Sequence, residues 1–191
     1  SPIERLMLYA WSPLVIVEVS SSGHLDSLAI LLMFAGLLAW DMGRERVFGG
    51  MMGVAFLVKF VSFIFWPWML VKKNAHRALL WFVTVVVLGS LLYLPYSPIG
   101  LSPSSGALNY ARDWTFNSSL YDLFLMLSPF SGILNKVLLG AFFMGFGFFL
   151  AQRMAEHQLL AYAGLMWSAL IFLSPVVYPW YVIGLVPFLC F

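Results

Sequence analysis

The stretch Glu18-Val-Ser-Ser-Ser-Gly-His-Leu-Asp26 places three ionisable side chains between two apolar runs. The run before it, Leu6 to Val17, is interrupted only by Ser12 and Pro13, and the run after it, Leu28 to Trp40, carries no charge. Acidic side chains and histidine are costly in lipid, so within a membrane segment they normally face a water-filled cavity. The stretch therefore predicts a helical membrane protein with a polar site at this break in the chain.

The composition points to the same class of protein. Hydrophobic residues make up 62% of the 191 residues and charged residues only 9%, whereas about a quarter of the residues in soluble domains are charged. The net charge of +2 is small and its carriers are scattered, which argues against a nucleic-acid partner. Cys190 is the single cysteine, so the chain has no disulfide framework. We expect residues 1–191 to be one transmembrane domain of a longer protein, with N- and C-terminal parts outside this sequence.

Five apolar segments are predicted to cross the membrane, some of them at the short end of the ~17–25 residues that a spanning helix needs. A sixth apolar segment begins near Trp180. The expected fold is an all-α, polytopic transmembrane bundle with short broken helices and a loop site on its outer face. The five segments are Ile3 to Val19, Leu25 to Trp40, Ala78 to Leu94, Ile133 to Ala151 and Leu159 to Leu173.

The segment Val47 to Val71 is predicted to form a hairpin rather than a single crossing. Lys59 lies at its centre and Pro67 interrupts its second half. Basic residues flank it on both sides, and they favour the cytoplasmic side of a membrane, which a single crossing would not allow for both groups. Two short half-helices with a tip near Lys59 put all of these residues on one side: Arg44, Arg46, Lys72, Lys73 and Arg77.

This arrangement predicts the orientation of the bundle. Seven of the ten basic residues become cytoplasmic, as the positive-inside rule requires. Three loops, Glu18 to Asp26, Pro95 to Asn117 and Pro175 to Tyr181, then meet on the periplasmic, extracellular or luminal face, together with Lys59. The helix predicted for Leu120 to Leu127 is too short to span and is expected to lie at the interface.

The acidic residues and the histidine of the first loop have several possible roles. Asp26 can cap the following helix, since Asp is a preferred N-cap. Alternatively, Asp26 or Glu18 can orient an acceptor hydroxyl or bind a divalent metal ion through carboxylate oxygens. His24 can act as a base or, when protonated, bind phosphate. A zinc site is not expected, because the three histidines are far apart in the sequence and no cysteine is near.

Lys59 and Arg112 are the candidates for binding phosphate. A lysine near mid-membrane needs a partner, and an anionic lipid phosphate would supply it; arginine suits bidentate phosphate contacts. The alternatives for Lys59 are that it extends its ammonium to the membrane interface or pairs with Glu18. The alternative for Arg112 is a surface salt bridge with Asp113 or Asp122. A further set of residues could contact a sugar, although aromatic side chains also anchor proteins at the membrane interface: Trp114, Asn117, Tyr178, Trp180 and Tyr181.

Four motifs, in order, resemble the GT-C superfamily of integral-membrane glycosyltransferases, especially bacterial mannosyltransferase-like members that use polyprenyl-phosphate sugars. They cover nearly the whole chain, with one departure at Tyr178, where many relatives carry His. The motifs are Trp11 to Leu28, with its Pro, Glu and Gly-His-x-Asp; Gly50 to Phe60, a Gly-rich helix ending in Lys; Tyr110 to Leu120, an outer loop with Trp-x-x-Asn; and Ser174-Pro-Val-Val-Tyr-Pro-Trp-Tyr181.

The resemblance implies an inverting transfer of a hexose from a polyprenyl-phosphate donor to a glycan or glycolipid acceptor, on the periplasmic or luminal face of the cell membrane. In this family the catalytic acidic residue usually lies in a first outer loop that this sequence does not contain. Glu18, His24 and Asp26 are therefore expected in supporting roles. A lipid-linked-sugar flippase or another transporter is the alternative, but it would need polar residues along a path to both faces.

Overall fold

The computed structural model describes residues 2–72, 75–99, 114–118, 120–130 and 132–190. Within these ranges the chain is helical, and the one β-type backbone pairing is an isolated bridge between Phe116 and Val176. The prediction of an all-α fold is therefore confirmed for the described part of the chain.

The helices are short on average and several are joined end to end by 3₁₀ turns. We number the α-helices in chain order, treating Pro13–Ser21 as one helix whose second part, Ile16–Ser21, is π-helical. Turns of 3₁₀ helix occupy Phe60–Phe65, Leu94–Ile99 and Glu156–Gln158. The helices are α1 (Pro2–Ala10), α2 (Pro13–Ser21), α3 (Asp26–Asp41), α4 (Glu45–Val58), α5 (Trp66–Val71), α6 (His76–Tyr93), α7 (Leu120–Leu127), α8 (Gly132–Arg153), α9 (Leu159–Leu173), α10 (Pro179–Val182) and α11 (Val186–Leu189).

Within the described part of the chain, two helices are long and apolar enough to cross a membrane. One is α6 with the turn that extends it, His76–Tyr96, and the other is α8, Gly132–Arg153; they contain 21 and 22 residues. Only 11% and 17% of the residues in their most apolar stretches are buried inside the protein. Such low burial is expected of helices that face lipid, whereas helices of a protein core are mostly buried. These two helices correspond to the predicted segments Ala78 to Leu94 and Ile133 to Ala151.

The prediction of a continuous first span, Ile3 to Val19, is wrong. Ser12 is extended (φ −62°, ψ 119°) and Pro13 opens the next helix, because proline constrains the preceding residue away from the α region and lacks the amide that would continue α1. Helix α2 instead forms a pair with α3 that is apolar enough to span only when both are counted, and the two helices are bent by 116°. This pair gives the described chain up to three spans.

Two other predicted spans are shorter than a bilayer core. Helix α3 has 16 residues and α9 has 15, which correspond to about 24 Å and 23 Å at 1.5 Å per residue. A hydrocarbon core is about 30 Å thick. The predicted spans Leu25 to Trp40 and Leu159 to Leu173 are thus found as helices, but neither reaches the length of a straight crossing.

The hairpin predicted around Lys59 is present. Helix α4 ends where Lys59 adopts an extended conformation (φ −155°, ψ 131°), and the chain then returns along α4. The Ser62 hydroxyl donates a 2.8 Å hydrogen bond to the carbonyl of Met52, and the rings of Phe48 and Phe65 meet edge to face at 5.7 Å. Lys59 therefore lies at the tip of the hairpin.

Helix α4 packs between α3 and α6 at close range because glycines line its contact with α6. A Cβ atom added at Gly49 would lie 1.9 Å from the carbonyl oxygen of Ala78, and one added at Gly53 would lie 2.9 Å from Cβ of Val85. Glycines four residues apart on one helix face let two backbones approach closely, as they do in membrane helix pairs. The glycine-rich sequence of α4 thus has a packing role in this fold.

The opposite end of the bundle is held together by carbonyl contacts. The indole of Trp40, near the end of α3, donates a 3.1 Å hydrogen bond to the carbonyl of Glu156, and the ammonium of Lys72 donates to the carbonyl of Met154. Most described basic residues lie at the helix ends on this side: Arg44, Arg46, Lys72, Arg77 and Arg153. Lys59 and Asp26 lie at the other end, as the sequence predicted.

Candidate functional site

An ion pair at the hairpin tip is the centre of the site. The ammonium of Lys59 donates a hydrogen bond to the carboxylate of Asp26, the first residue of α3. The side chains of Lys59 and Asp26 are 31% and 12% exposed. The ammonium also lies 4.2 Å from the centre of the Tyr181 ring, a cation–π contact that joins the hairpin tip to the start of α10.

This geometry excludes one of the roles considered for Asp26, that of a hydrogen-bonding cap of α3. Its carboxylate accepts a hydrogen bond from Lys59, and no backbone amide among the described residues donates to it. Asp26 is therefore not a hydrogen-bonding cap of α3, although its charge is favourable near the N-terminus of the helix. The alternative in which Lys59 pairs with Glu18 is not the arrangement found.

Glu18 instead pairs with His24 inside the first loop. The chain turns back after the π-helical part of α2, and Gly23 allows the turn with a φ of +67°. The backbone amide of His24 then donates a 3.2 Å hydrogen bond to the carbonyl of Glu18, and the imidazole Nε2 lies 3.4 Å from its carboxylate. Glu18 is only 9% exposed, so this contact supplies a polar partner to a largely buried acid.

A row of four stacked rings runs beside the Lys59–Asp26 ion pair and the Glu18–His24 contact. His24 stacks on Trp180 with ring centres 4.0 Å apart, Trp180 stacks on Tyr178 at 4.4 Å, and Tyr178 stacks on Phe116 at 4.9 Å. Tyr181 meets both Tyr178 and Trp180 edge-on. Trp180 thus lies between two rings, whereas Phe116, at the end of the row, is 45% exposed.

The third loop is attached to the second by backbone hydrogen bonds. The amide of Phe116 donates to the carbonyl of Pro175 at 2.9 Å, and the amide of Val177 donates to the carbonyl of Phe116 at 2.8 Å. Asn117 follows with a positive φ of 50°, which turns the chain away from the bridge. The three loops predicted to meet at one end of the bundle are therefore in contact through their described residues.

An apolar cavity of about 280 Å³ opens beside the Lys59–Asp26 pair. Its only charged lining residues among the described ones are Lys59 and Asp26, at one end. Trp167 forms part of its wall and donates a 3.2 Å hydrogen bond to the carbonyl of Tyr181. The remaining wall is formed by Ala29, Phe60, Val61, Phe63, Leu170, Ile171, Ser174 and Tyr181.

Comparison with protein-family models, with characterised proteins and with solved structures gave no match. The functional argument for this chain therefore rests on the residues of the site and on their geometry.

The structure brings together most of the predicted site residues. Lys59, Asp26 and Tyr181 are in direct contact, and so are His24, Glu18, Trp180 and Tyr178 in one connected set. Trp114 and Asn117 lie on the adjacent loop, where both are exposed. Arg112 lies outside the described residues.

Two residues of the site were not predicted from sequence. Phe116 completes the ring row and Trp167 supports Tyr181, but each is one of many aromatic residues in an apolar chain. The only available signal for Phe116 was its place between Trp114 and Asn117. For Trp167, in the middle of α9, no sequence signal distinguishes a site residue from a core residue.

The described residues do not form a cluster typical of a metal site. Within the described ranges, no three His, Cys, Asp or Glu side chains lie close enough together to hold a metal ion. The carboxylates of Asp26 and Glu18, the acids suggested for a divalent ion, have Lys59 and His24 as partners. The charged groups of the described site are thus paired with one another, and the Lys59–Asp26 pair lies beside an apolar cavity.

Proposed function

We propose that this chain is part of a GT-C-type integral-membrane glycosyltransferase. It would move a mannose-like hexose from a polyprenyl-phosphate donor to an acceptor hydroxyl at the periplasmic or luminal face of the membrane. The observation that carries the proposal is the Lys59–Asp26 pair at one end of an apolar cavity. A polyprenyl-phosphate sugar has the matching two parts, an anionic phosphate and a hydrocarbon chain.

The contacts of Lys59 support its assignment to the donor phosphate. The ammonium has three N–H donors, and Asp26 and the face of Tyr181 fix its position at the cavity. With an ammonium held in this way, a phosphate that binds there needs no reorganisation of the protein, which is the condition for strong electrostatic stabilisation of developing charge. The apolar wall next to it accommodates the first isoprene units of the donor.

The proposed reaction exchanges one bond at the sugar. The acceptor oxygen bonds to C1 of the hexose as the bond from C1 to the phosphate oxygen breaks, with inversion at C1. The hydroxyl proton passes to a carboxylate base, and the polyprenyl phosphate leaves with the negative charge that Lys59 stabilises. The resemblance implies that the base belongs to the first outer loop of the family, so Asp26, Glu18 and His24 position other groups.

The ring row supports a different role for Trp180 from the one expected. Its ring is stacked with His24 and Tyr178, so it holds the first and third loops together rather than offering an open face to a sugar. Phe116 and Trp114, which are 45% and 51% exposed, are the aromatic residues that we assign to contact the sugar. Arg112, on the same loop, remains our second candidate for the phosphate.

The proposal is tested with the full-length protein in proteoliposomes and a panel of radiolabelled polyprenyl-phosphate hexoses. We expect transfer of the label to an acceptor, and a loss on the order of 100-fold in Lys59→Ala, comparable to removal of one charge-stabilising donor from an enzyme site. Arg112→Ala should also lose activity, whereas Arg46→Ala, an exposed basic residue near the other end of α4, is the matched control. If no donor is consumed while labelled lipid crosses the bilayer, the protein is a transporter and the proposal fails.

A further inference from the structure

A second cavity lies next to the first, on the other side of a shared wall. It has a volume of about 420 Å³, and Phe63, Leu170 and Ser174 line both cavities. Helices α7, α8 and α9 and the 3₁₀ turn before α5 form its sides. The other lining residues are Trp66, Tyr121, Lys136, Leu139, Gly140, Phe143, Met144, Leu173 and Pro175.

Tyr121 gives this cavity a polar group. The residue is only 1% exposed and lines the cavity. Burial, with a smaller contribution from Asp122, raises the pKa of the phenol, so the hydroxyl stays protonated and available as a donor. A ligand oxygen in the cavity can accept a hydrogen bond from it.

Lys136 supplies the only positive charge among the described lining residues. Its ammonium lies 3.1 Å from the carbonyl of Trp114, so it is held between the cavity and the exposed loop that carries Phe116. The remaining described lining is almost entirely apolar. A cavity with an apolar wall, one cation and one neutral donor matches an amphiphile with an anionic headgroup.

We propose that this second cavity holds the acceptor, and that the acceptor is a membrane lipid whose anionic headgroup carries hydroxyl groups. This inference rests on the proposed function, which requires a second substrate beside the donor. Its lipid chain lies along α8, its phosphate contacts Lys136 and Tyr121, and its headgroup hydroxyl lies towards the first cavity across Ser174. A water-soluble glycan would leave the apolar wall of the cavity without a partner.

The chain offers a matched pair of substitutions to test this cavity. Gly140 lines it, and a Cβ atom added there meets no atom within 4 Å. Gly140→Leu therefore adds an apolar side chain at the cavity from a Cβ position that clashes with nothing. Gly145, on the same helix, also has no atom within 4 Å of an added Cβ but does not line the cavity, so Gly145→Leu is the control.

Binding is measured with photoreactive phosphatidylglycerol, labelled in its acyl chain, in nanodiscs of phosphatidylcholine that contain the full-length protein. We expect cross-links on α7, α8 and α9, and a reduction of about tenfold in Gly140→Leu but not in Gly145→Leu, a difference equivalent to about 1.4 kcal/mol. Tyr121→Phe and Lys136→Gln test the headgroup contacts independently, should Gly140→Leu fold poorly. Equal labelling of all variants, or equal labelling by a phosphatidylcholine probe, would overturn the inference.

Transfer kinetics separate this inference from the proposed function. Gly140→Leu should raise the KM for a phosphatidylglycerol acceptor about tenfold and leave the KM for the polyprenyl-phosphate donor unchanged. Efficient transfer to a soluble glycan, but not to the lipid, would overturn the acceptor assignment while upholding the glycosyltransferase. A failure of the proposed function itself appears as an absence of transfer from every donor to both kinds of acceptor, and it would overturn the acceptor assignment as well.

Discussion

The ammonium of Lys59 donates a hydrogen bond to the carboxylate of Asp26, joining two residues that are 33 positions apart in the sequence. The pair links the tip of the α4 hairpin to the first turn of α3. The same two residues are the only charged residues among the described lining of an apolar cavity. The packing of these elements and the proposed chemistry of the site therefore depend on the same contact.

The Lys59–Asp26 pair is expected to stabilise the fold as a unit. Breaking a buried ion pair from one side costs about 3–5 kcal/mol, and because Lys59 is 31% exposed we expect the lower figure of about 2–3 kcal/mol for Lys59→Met or Asp26→Asn. The double variant should lose less than the sum of the two, by about 1 kcal/mol. The free energies of unfolding of the two single variants and the double variant are measured in mixed detergent micelles. Strict additivity of the losses would show that the two groups do not interact.

The close packing of α4 on α6 predicts opposite effects for two neighbouring glycines. Gly49→Ala places a methyl group against the carbonyl of Ala78 and should destabilise the protein by about 1–3 kcal/mol or more, as overpacking does. A Cβ atom at Gly50 meets nothing within 4 Å, so Gly50→Ala should be neutral or stabilising by up to about 1 kcal/mol from helix propensity. Thermal unfolding of both variants tests this difference. Similar unfolding midpoints would contradict the close packing of α4 on α6.

Gly184 controls the wall of the first cavity through Trp167. A Cβ atom at Gly184 would lie 1.8 Å from the indole of Trp167, so Gly184→Ala must displace a side chain that lines this cavity and hydrogen-bonds to Tyr181. We expect cross-linking by a photoreactive polyprenyl-phosphate sugar to fall about tenfold, or by about 1.4 kcal/mol. Gly164→Ala, whose nearest contact would be 3.3 Å, serves as the control. Unchanged labelling in Gly184→Ala would place the donor elsewhere.

Trp180 is expected to be needed as a ring in the middle of the stack. Trp180→Ala removes its stacking with His24 and Tyr178 and should cost about 1–3 kcal/mol, since each aromatic pair contributes about 0.5–1.5 kcal/mol beyond its buried area. Trp180→Phe should retain most of this stability. Denaturant titrations measure the free energy of unfolding of the two variants. Equal losses of stability would show that ring stacking is not what Trp180 contributes.

The two ends of α3 are expected on opposite sides of the membrane. Leu25 and Met42 flank this helix and are 67% and 58% exposed. Single cysteines at these positions, in a Cys190→Ser background, should react with a membrane-impermeant maleimide from opposite faces of oriented vesicles. Labelling of both from the same face would mean that α3 does not cross the membrane.

The sequence predicted the break at Lys59 because a lysine inside an apolar segment, with basic residues on both flanks, is incompatible with a simple crossing. It missed the break at Ser12 and Pro13, where the proline was treated as a tolerated interruption of one helix. Composition cannot show whether Pro13 kinks the first helix or ends it, since proline does either in membrane helices. The result depends on how the surrounding helices pack.

The same division applies to the candidate site. The residue types and the order of the loops predicted which segments would meet, because basic residues orient the helices. The pairing of the carboxylates was not predictable: Glu18 and Asp26 are both acids near a helix end, and only the turn at Gly23 directs Glu18 to His24 and leaves Asp26 to Lys59. The role of Trp180 was likewise decided by its two ring neighbours.

By itself, the sequence determined that this protein is helical, apolar enough for a membrane and polar at one end of its helices, because each of these properties follows from composition and local pattern. Only the tertiary structure decided which charges pair, which ring faces are covered and that two cavities share the wall containing Ser174. The physical reason is that pairing and cavity shape depend on contacts between residues far apart in the chain, for which local pattern carries no information.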